Sequence, residues 1–134
     1  MARIIDIEGI GHVYAGKLRR VGIKTTGRLL KVAATRLGRK DLSDRTGISE
    51  RLILEWVNLA DLMRIKGIGE EYGDLLEEAG VDTVKELRNR RPYNLYQALI
   101  ETNVKKHLVR RLPSRRAVES WITQAKTLPP VLTY

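Results

Sequence analysis

Apolar residues recur along the chain at helical spacing, in short bursts divided by glycine-rich turns. Leu52, Trp56, Leu59 and Met63 fall on one stripe of an amphipathic helix, with Ser49 placed to cap it. That helix runs directly into Ile65-Lys66-Gly67-Ile68-Gly69. Beyond the glycines, Tyr72, Leu75, Leu76 and Ala79 form another apolar stripe, closed by Gly80 as a left-handed C-cap. Asp82 or Thr83 then caps a helix through Leu87, as Thr25 or Thr26 does for Leu29, Leu30, Val32 and Ala33. No segment reads as a strand. The tail, Leu128-Pro129-Pro130-Val131-Leu132-Thr133-Tyr134, cannot continue a helix and is expected to be extended. The pattern predicts an all-α fold, a bundle of short helices.

The bursts repeat. Ile7-Glu8-Gly9-Ile10-Gly11 returns 58 residues later as Ile65-Lys66-Gly67-Ile68-Gly69. At the same offset Tyr14 matches Tyr72, Leu18 matches Leu76, Gly22-Ile23 matches Gly80-Val81, Thr25 matches Thr83 and Leu29 matches Leu87. Further on the offset is 65, pairing Ile53 with Val118, Trp56 with Trp121, Ala60 with Ala125 and Met63 with Leu128. The second copy therefore carries seven extra residues, placed within Asn89–Pro113, where two prolines and many charges suggest an inserted loop. The division expected is residues 1–64 and 65–134. Trp56 and Trp121 occupy equivalent stripe positions and read as core.

A hairpin this short needs glycine, because the backbone must visit positive φ and the helices must cross closely. Ile10 and Ile68 are expected to pack inward and fix the turns. Several backbone N–H groups then point outward beside a helix N-terminus, an arrangement that binds phosphate. Ile7 to Ile23 resembles the helix-hairpin-helix motif, which holds DNA by its phosphates across the minor groove without reading bases. Asp41-Leu42 with Thr46-Gly47-Ile48-Ser49 looks like a second, degenerate hairpin, as in the N-terminal helical domain of recombinases. The fold so implied is a tandem, duplicated helix-hairpin-helix (SAM-like) bundle. Only Ala2 to Ile7 precede the first hairpin, against a full helix before the second. The first motif is therefore expected to be incomplete, or to be completed by the other copy or by another chain.

Taken whole, the chain resembles the bacterial family catalogued as domain of unknown function 4332. The resemblance is carried by Thr46-Gly47-Ile48-Ser49, by the Trp56 helix running into Arg64-Ile65-Lys66-Gly67-Ile68-Gly69-Glu70-Glu71-Tyr72, by Ala79-Gly80-Val81-Asp82-Thr83-Val84-Lys85-Glu86-Leu87, and by Trp121-Ile122 with Gln124-Ala125-Lys126 and Leu128-Pro129. It covers nearly the whole chain and implies the fold, and it brings no established activity.

Charge separates the two copies. The chain is 134 residues long with a formal net charge of +9, which favours an anionic partner without choosing one. From Ile7 to Leu30 the charges are Lys17, Arg19, Arg20, Lys24 and Arg28 against Glu8. From Ile65 to Arg88 they are Lys66, Lys85 and Arg88 against Glu70, Glu71, Asp74, Glu77, Glu78, Asp82 and Glu86. At matched positions His12 becomes Glu70, Arg19 becomes Glu77 and Arg20 becomes Glu78. Carboxylates at a helix N-terminus stabilise it but repel an incoming phosphate, so the first copy is the better candidate.

The function expected is a non-enzymatic, sequence-independent DNA- or RNA-binding accessory module. Backbone amides of Gly9, Gly11 and His12 would hold a phosphate, and Lys17, Arg19, Arg20 and Lys24 would attract it. A second basic group consists of the pairs Lys105-Lys106, Arg110-Arg111 and Arg115-Arg116. These pairs lack aromatic platforms, which argues against a single-strand-binding groove. The alternative is a protein-interaction adaptor or self-assembling scaffold, docking through Glu70, Asp74, Glu77 and Glu78. Those carboxylates have no His nearby in sequence and read as a solvated face rather than a metal site. His12 and His107 have no acid, nucleophile or ligand partner at a recognised spacing, so no catalytic residue, metal or cofactor is expected. A hairpin-containing glycosylase ranks third, since the chain is short for a catalytic bundle. With no Cys, disulfides and thiolate metal sites are excluded. The opening MARIIDIEGIG lacks a signal-peptide core and no run reaches membrane-spanning length, so a cytoplasmic protein is expected.

Overall fold

Eight α-helices make up the regular structure of the computed structural model, which describes residues 2–7 and 9–134. Glu8, counted above with the first hairpin, lies outside the described residues. The helices are α1 (Gly11–Arg20), α2 (Thr26–Val32), α3 (Arg36–Thr46), α4 (Glu50–Leu62), α5 (Glu70–Glu78), α6 (Val84–Leu87), α7 (Pro92–Lys106) and α8 (Arg115–Thr127). Among the described residues there is no strand, only an isolated antiparallel bridge between Arg3 and Thr25. No described helix is long and apolar enough to cross a membrane. The chain divides into two units, Met1–Asp61 with Val131–Tyr134, and Leu62–Pro130.

In the first unit a 3-10 turn, Ile4–Asp6, stands before the hairpin, where the second hairpin has the long helix α4. The amide of Ile7 donates to the Ile4 carbonyl at 3.2 Å, and that of Ile10 to the Ile7 carbonyl at 3.2 Å. Helix α1 stops because Gly22 takes φ +87. The Ile23 amide then reaches back to Leu18 O at 2.9 Å and the Gly22 amide to Arg19 O at 2.9 Å, a Schellman closure with Ile23 and Leu18 both buried. Thr25 rather than Thr26 caps α2, its hydroxyl accepting from the Arg28 amide at 3.1 Å. Helix α2 packs on α3, which Thr35 caps and Gly47 ends at φ +74. Ser49 caps α4 through the Leu52 amide at 3.2 Å. Trp56 is buried on α4, as its stripe position required.

The tail closes this unit. The Thr133 amide donates to the Ala34 carbonyl at 2.9 Å, and the Tyr134 hydroxyl donates to Asn58 Oδ1 at 3.0 Å. Arg39 is buried and spends its guanidinium on backbone oxygens: Ala33 and Ala34 at 3.1 Å each, and Thr133 at 2.7 Å.

The second unit repeats the same local bonds 58 residues on. Ile65 donates to Leu62 O at 3.0 Å, Ile68 to Ile65 O at 3.1 Å, and Val81 to Leu76 O at 2.8 Å. Gly80 stands at φ +95, and Thr83 caps α6 through the Glu86 amide at 3.2 Å. Helix α7 packs on both α5 and α8, and α6 packs on α8. The core between them is built of Leu62, Ile65, Ile68, Leu75, Leu76, Val81, Val84, Leu87, Leu95, Leu99, Val109, Val118, Trp121, Ile122 and Ala125.

Asn89–Pro113, read as the site of a loop insertion, is mostly helix. Pro92 opens α7, whose 15 residues compare with 11 in α3. The connector from His107 to Ser114 is also five residues longer than Gly47–Ser49 of the first unit, and the stretch Val84–Arg91 is two shorter than Thr26–Thr35, which leaves the net excess of seven. Asn103 fastens that connector, donating to Val109 O at 3.1 Å and accepting from Val109 N at 3.0 Å. Prolines and charges suggested a loop, but proline at the first helical position costs no hydrogen bond.

Candidate functional site

The first hairpin turns on Gly9 at φ +90 and Gly11 at φ +66, around a buried Ile10. Ile10 precedes α1 and provides no side-chain cap. The amides of the first helical turn, His12 among them, have no acceptor within the helix and carry the positive end of its dipole.

Helical spacing sorts the side chains of α1. His12, Ala15 and Arg19 share one face, whereas Val13, Lys17 and Arg20 share another. Lys17 lies along Tyr14, its Nζ 6.0 Å from the ring centroid. The segment before the hairpin is stitched antiparallel to the loop after α1: Ile4 N donates to Lys24 O at 2.9 Å and Thr26 N to Ala2 O at 3.0 Å. That stitching carries Arg3 and Lys24 to the His12 face. Between them lies a groove of about 420 Å³, lined by Ile4, Ile5, Ala15 and Thr25 with Arg3, His12, Arg19 and Lys24 at its edge. Among the described residues no carboxylate lines it. Arg3 also pairs with Asp6 at 3.2 Å. Thus His12, Arg19 and Lys24 converge, Lys17 and Arg20 do not join them, and Arg3 is an addition that sequence reasoning missed. Arg3 carried no signal in the repeat, whereas Lys24 stands 58 residues before Asp82. With His12–Glu70 and Arg19–Glu77, three of the four rim positions have a carboxylate in the other copy.

The second hairpin is covered by its own unit. The Gln124 side-chain amide accepts from Lys66 N at 2.9 Å and donates to Lys66 O at 3.1 Å. Gly67, at φ +100, lies so close to Trp121 that a Cβ there would come within 3.0 Å of the indole nitrogen. Gly9 has open space at the same point, and Leu59, the counterpart of Gln124, carries no hydrogen-bonding group. On α5, Glu78 is paired with Lys106 at 2.8 Å.

The model of a domain of unknown function, DUF4332, matches residues 8–128. The chain belongs to the DUF4332 family. No curated protein and no solved structure matches it.

The remaining candidates of this DUF4332 chain lie in the second unit. Arg110 and Arg111 are exposed in the connector, and the Arg111 carbonyl accepts from the Tyr72 hydroxyl at 3.1 Å. Arg115 and Arg116 occupy the first turn of α8, with the Arg115 guanidinium 5.6 Å from the Tyr93 ring centroid. Cations there oppose the helix dipole, at about 0.3–1 kcal/mol each when unscreened. Lys105 and Lys106 sit in the last turn of α7, where the dipole favours them. His107 caps α7 at φ +51 and is exposed, a backbone role. Among the described residues no cluster of three or more potential ligands could hold a metal ion.

Proposed function

We propose that this DUF4332 chain is a non-enzymatic, cytoplasmic, sequence-independent nucleic-acid-binding module, built from two helix-hairpin-helix repeats of which the first meets phosphate. The observation that carries the reading is the rim of Arg3, His12, Arg19 and Lys24 beside the uncapped start of α1. A simpler reading makes these side chains ordinary solvated surface. Against it, the second-copy positions matched to His12, Arg19 and Lys24 carry carboxylates, so the scaffold does not require basic residues there. Amides of Gly9, Gly11 and His12 hold the phosphate, and Lys17 and Arg20 add attraction from the adjoining face. Arg110, Arg111, Arg115 and Arg116 supply further phosphate contacts from the second unit.

The test is binding to random duplex. Retention is expected at about 50 mM salt and loss by several hundred millimolar, with a slope near −0.9 per phosphate contacted. Arg19→Glu combined with Arg20→Glu should abolish retention while circular dichroism stays helical. Absence of binding to duplex, single strand and RNA at low salt would sink the proposal.

A second reading, an adaptor or self-assembling scaffold, is favoured by the same charge reversal, since Glu70, Asp74, Glu77 and Glu78 make α5 complementary to α1. It predicts a solution mass above the monomer that Glu77→Arg with Glu78→Arg returns to monomer. A monomeric wild type would count against it.

A further inference from the structure

We infer that the groove beside the first hairpin receives one unstacked nucleotide, its base on the apolar floor and its phosphate on the cationic rim. The inference rests on the nucleic-acid reading above and gives it a structural preference: an unpaired nucleotide at a strand end rather than continuous duplex.

Three features of the groove argue for it. First, its surface is almost wholly apolar, from the half-buried Ile5 and the side-chain stems of the basic residues, over the buried Ile4 and Ala15. A surface that met only the phosphates of a duplex would need cations and amides but no recess. An apolar recess of about 420 Å³ with a few polar groups at its edge has the size and character of a small-ligand site. Second, the charged residues that line it are all basic. They are Arg3, Arg19 and Lys24, of which Arg3 is also paired with Asp6. The occupant therefore combines a flat or compact apolar body with phosphate. Third, the walls are fixed before any ligand arrives. The Ile4–Lys24 and Thr26–Ala2 hydrogen bonds and the Arg3–Thr25 bridge hold the N-terminal segment against the loop, so the backbone needs no ordering on binding and only the basic side chains lose freedom. An aliphatic floor stacks a base without reading its edges, which keeps recognition independent of sequence.

The same chemistry is offered by the end of a strand and by a free nucleotide, and the experiment separates them. Fluorescence anisotropy is measured on a short blunt duplex, on the same duplex with one unpaired nucleotide, and on that overhang with its base removed. The overhang bearing a base should bind about tenfold tighter than its abasic twin. Ile5→Trp fills the floor, and Lys24→Gln removes a rim charge from a position where the other copy has Asp82. Ile5→Trp should bring the ratio of base-bearing to abasic affinity to one. Lys24→Gln should weaken the two overhang probes together and leave their ratio near ten, which keeps the test open if the tryptophan variant does not fold. Nucleoside monophosphate, but not inorganic phosphate, should displace the overhang probe.

Equal affinity for all three probes would overturn the nucleotide site and leave the duplex-binding proposal standing. A nucleoside monophosphate that binds the wild type but not Ile5→Trp, with no duplex retained, would uphold the site and remove the nucleic-acid reading. Binding of neither would remove both.

Discussion

Tyr14 of α1 packs its ring against Trp56 of α4, centroids 5.3 Å apart and planes tilted by 58°. Tyr72 and Trp121 make the same pair in the second unit, at 5.4 Å and 50°. The tyrosines are 58 residues apart and the tryptophans 65, so the seven extra residues between them leave the contact unchanged. Trp56→Ala and Trp121→Ala should each cost about 3–5 kcal/mol, read as a shift of the denaturant midpoint. A loss below about 1 kcal/mol would show that the pair does not anchor its unit.

Arg19 and Arg20 are neighbours in sequence but lie on different faces of α1, and only Arg19 lines the groove. Arg19→Ala should lower duplex affinity and reduce the salt slope by about one. Arg20→Ala should do so less. Equal effects would point to a diffuse field rather than a local contact.

Arg39 is the buried link between α3 and the chain's last residues. Arg39→Met keeps much of the aliphatic volume and deletes three hydrogen bonds from a charged donor. A loss of about 2–4 kcal/mol is expected, together with faster protease removal of Val131–Tyr134. An unchanged melt and an equally protected tail would contradict the role given to it.

Gln124 holds both backbone groups of Lys66. Because the site is exposed, water replaces part of the loss, and Gln124→Ala should cost only about 1 kcal/mol. Amide exchange at Lys66 should nonetheless accelerate. No acceleration would mean that the turn holds itself.

Much of the fold was legible because its rules are local. A threonine three residues before a helical amide, glycine after an apolar stripe and tryptophan at stripe spacing each act over one or two turns of chain. The cap at Ser49, the caps narrowed to Thr25 or Thr26 and to Thr83 or Asp82, the left-handed Gly80 and the buried Trp56 and Trp121 are of this kind. The inserted stretch was misread because composition cannot tell a proline that opens a helix from one that interrupts a loop. Within the candidate site, Lys17, Arg19 and Arg20 were treated as one basic patch. Helical rotation places Arg19 apart from the other two, and one further chain segment is needed to turn its face into a groove.

The sequence alone determined the duplication, the short helices, the glycine turns and the reversal of charge between copies, since each is a regularity of spacing or identity along the chain. Only the tertiary structure decided that Arg3 joins His12, Arg19 and Lys24, that the tail belongs to the first unit, and that Gln124 occupies the second hairpin while Gly9 stays open. These depend on which segments meet after packing. The free energy of such contacts comes from surfaces far apart in the chain, where neither periodicity nor capping carries information.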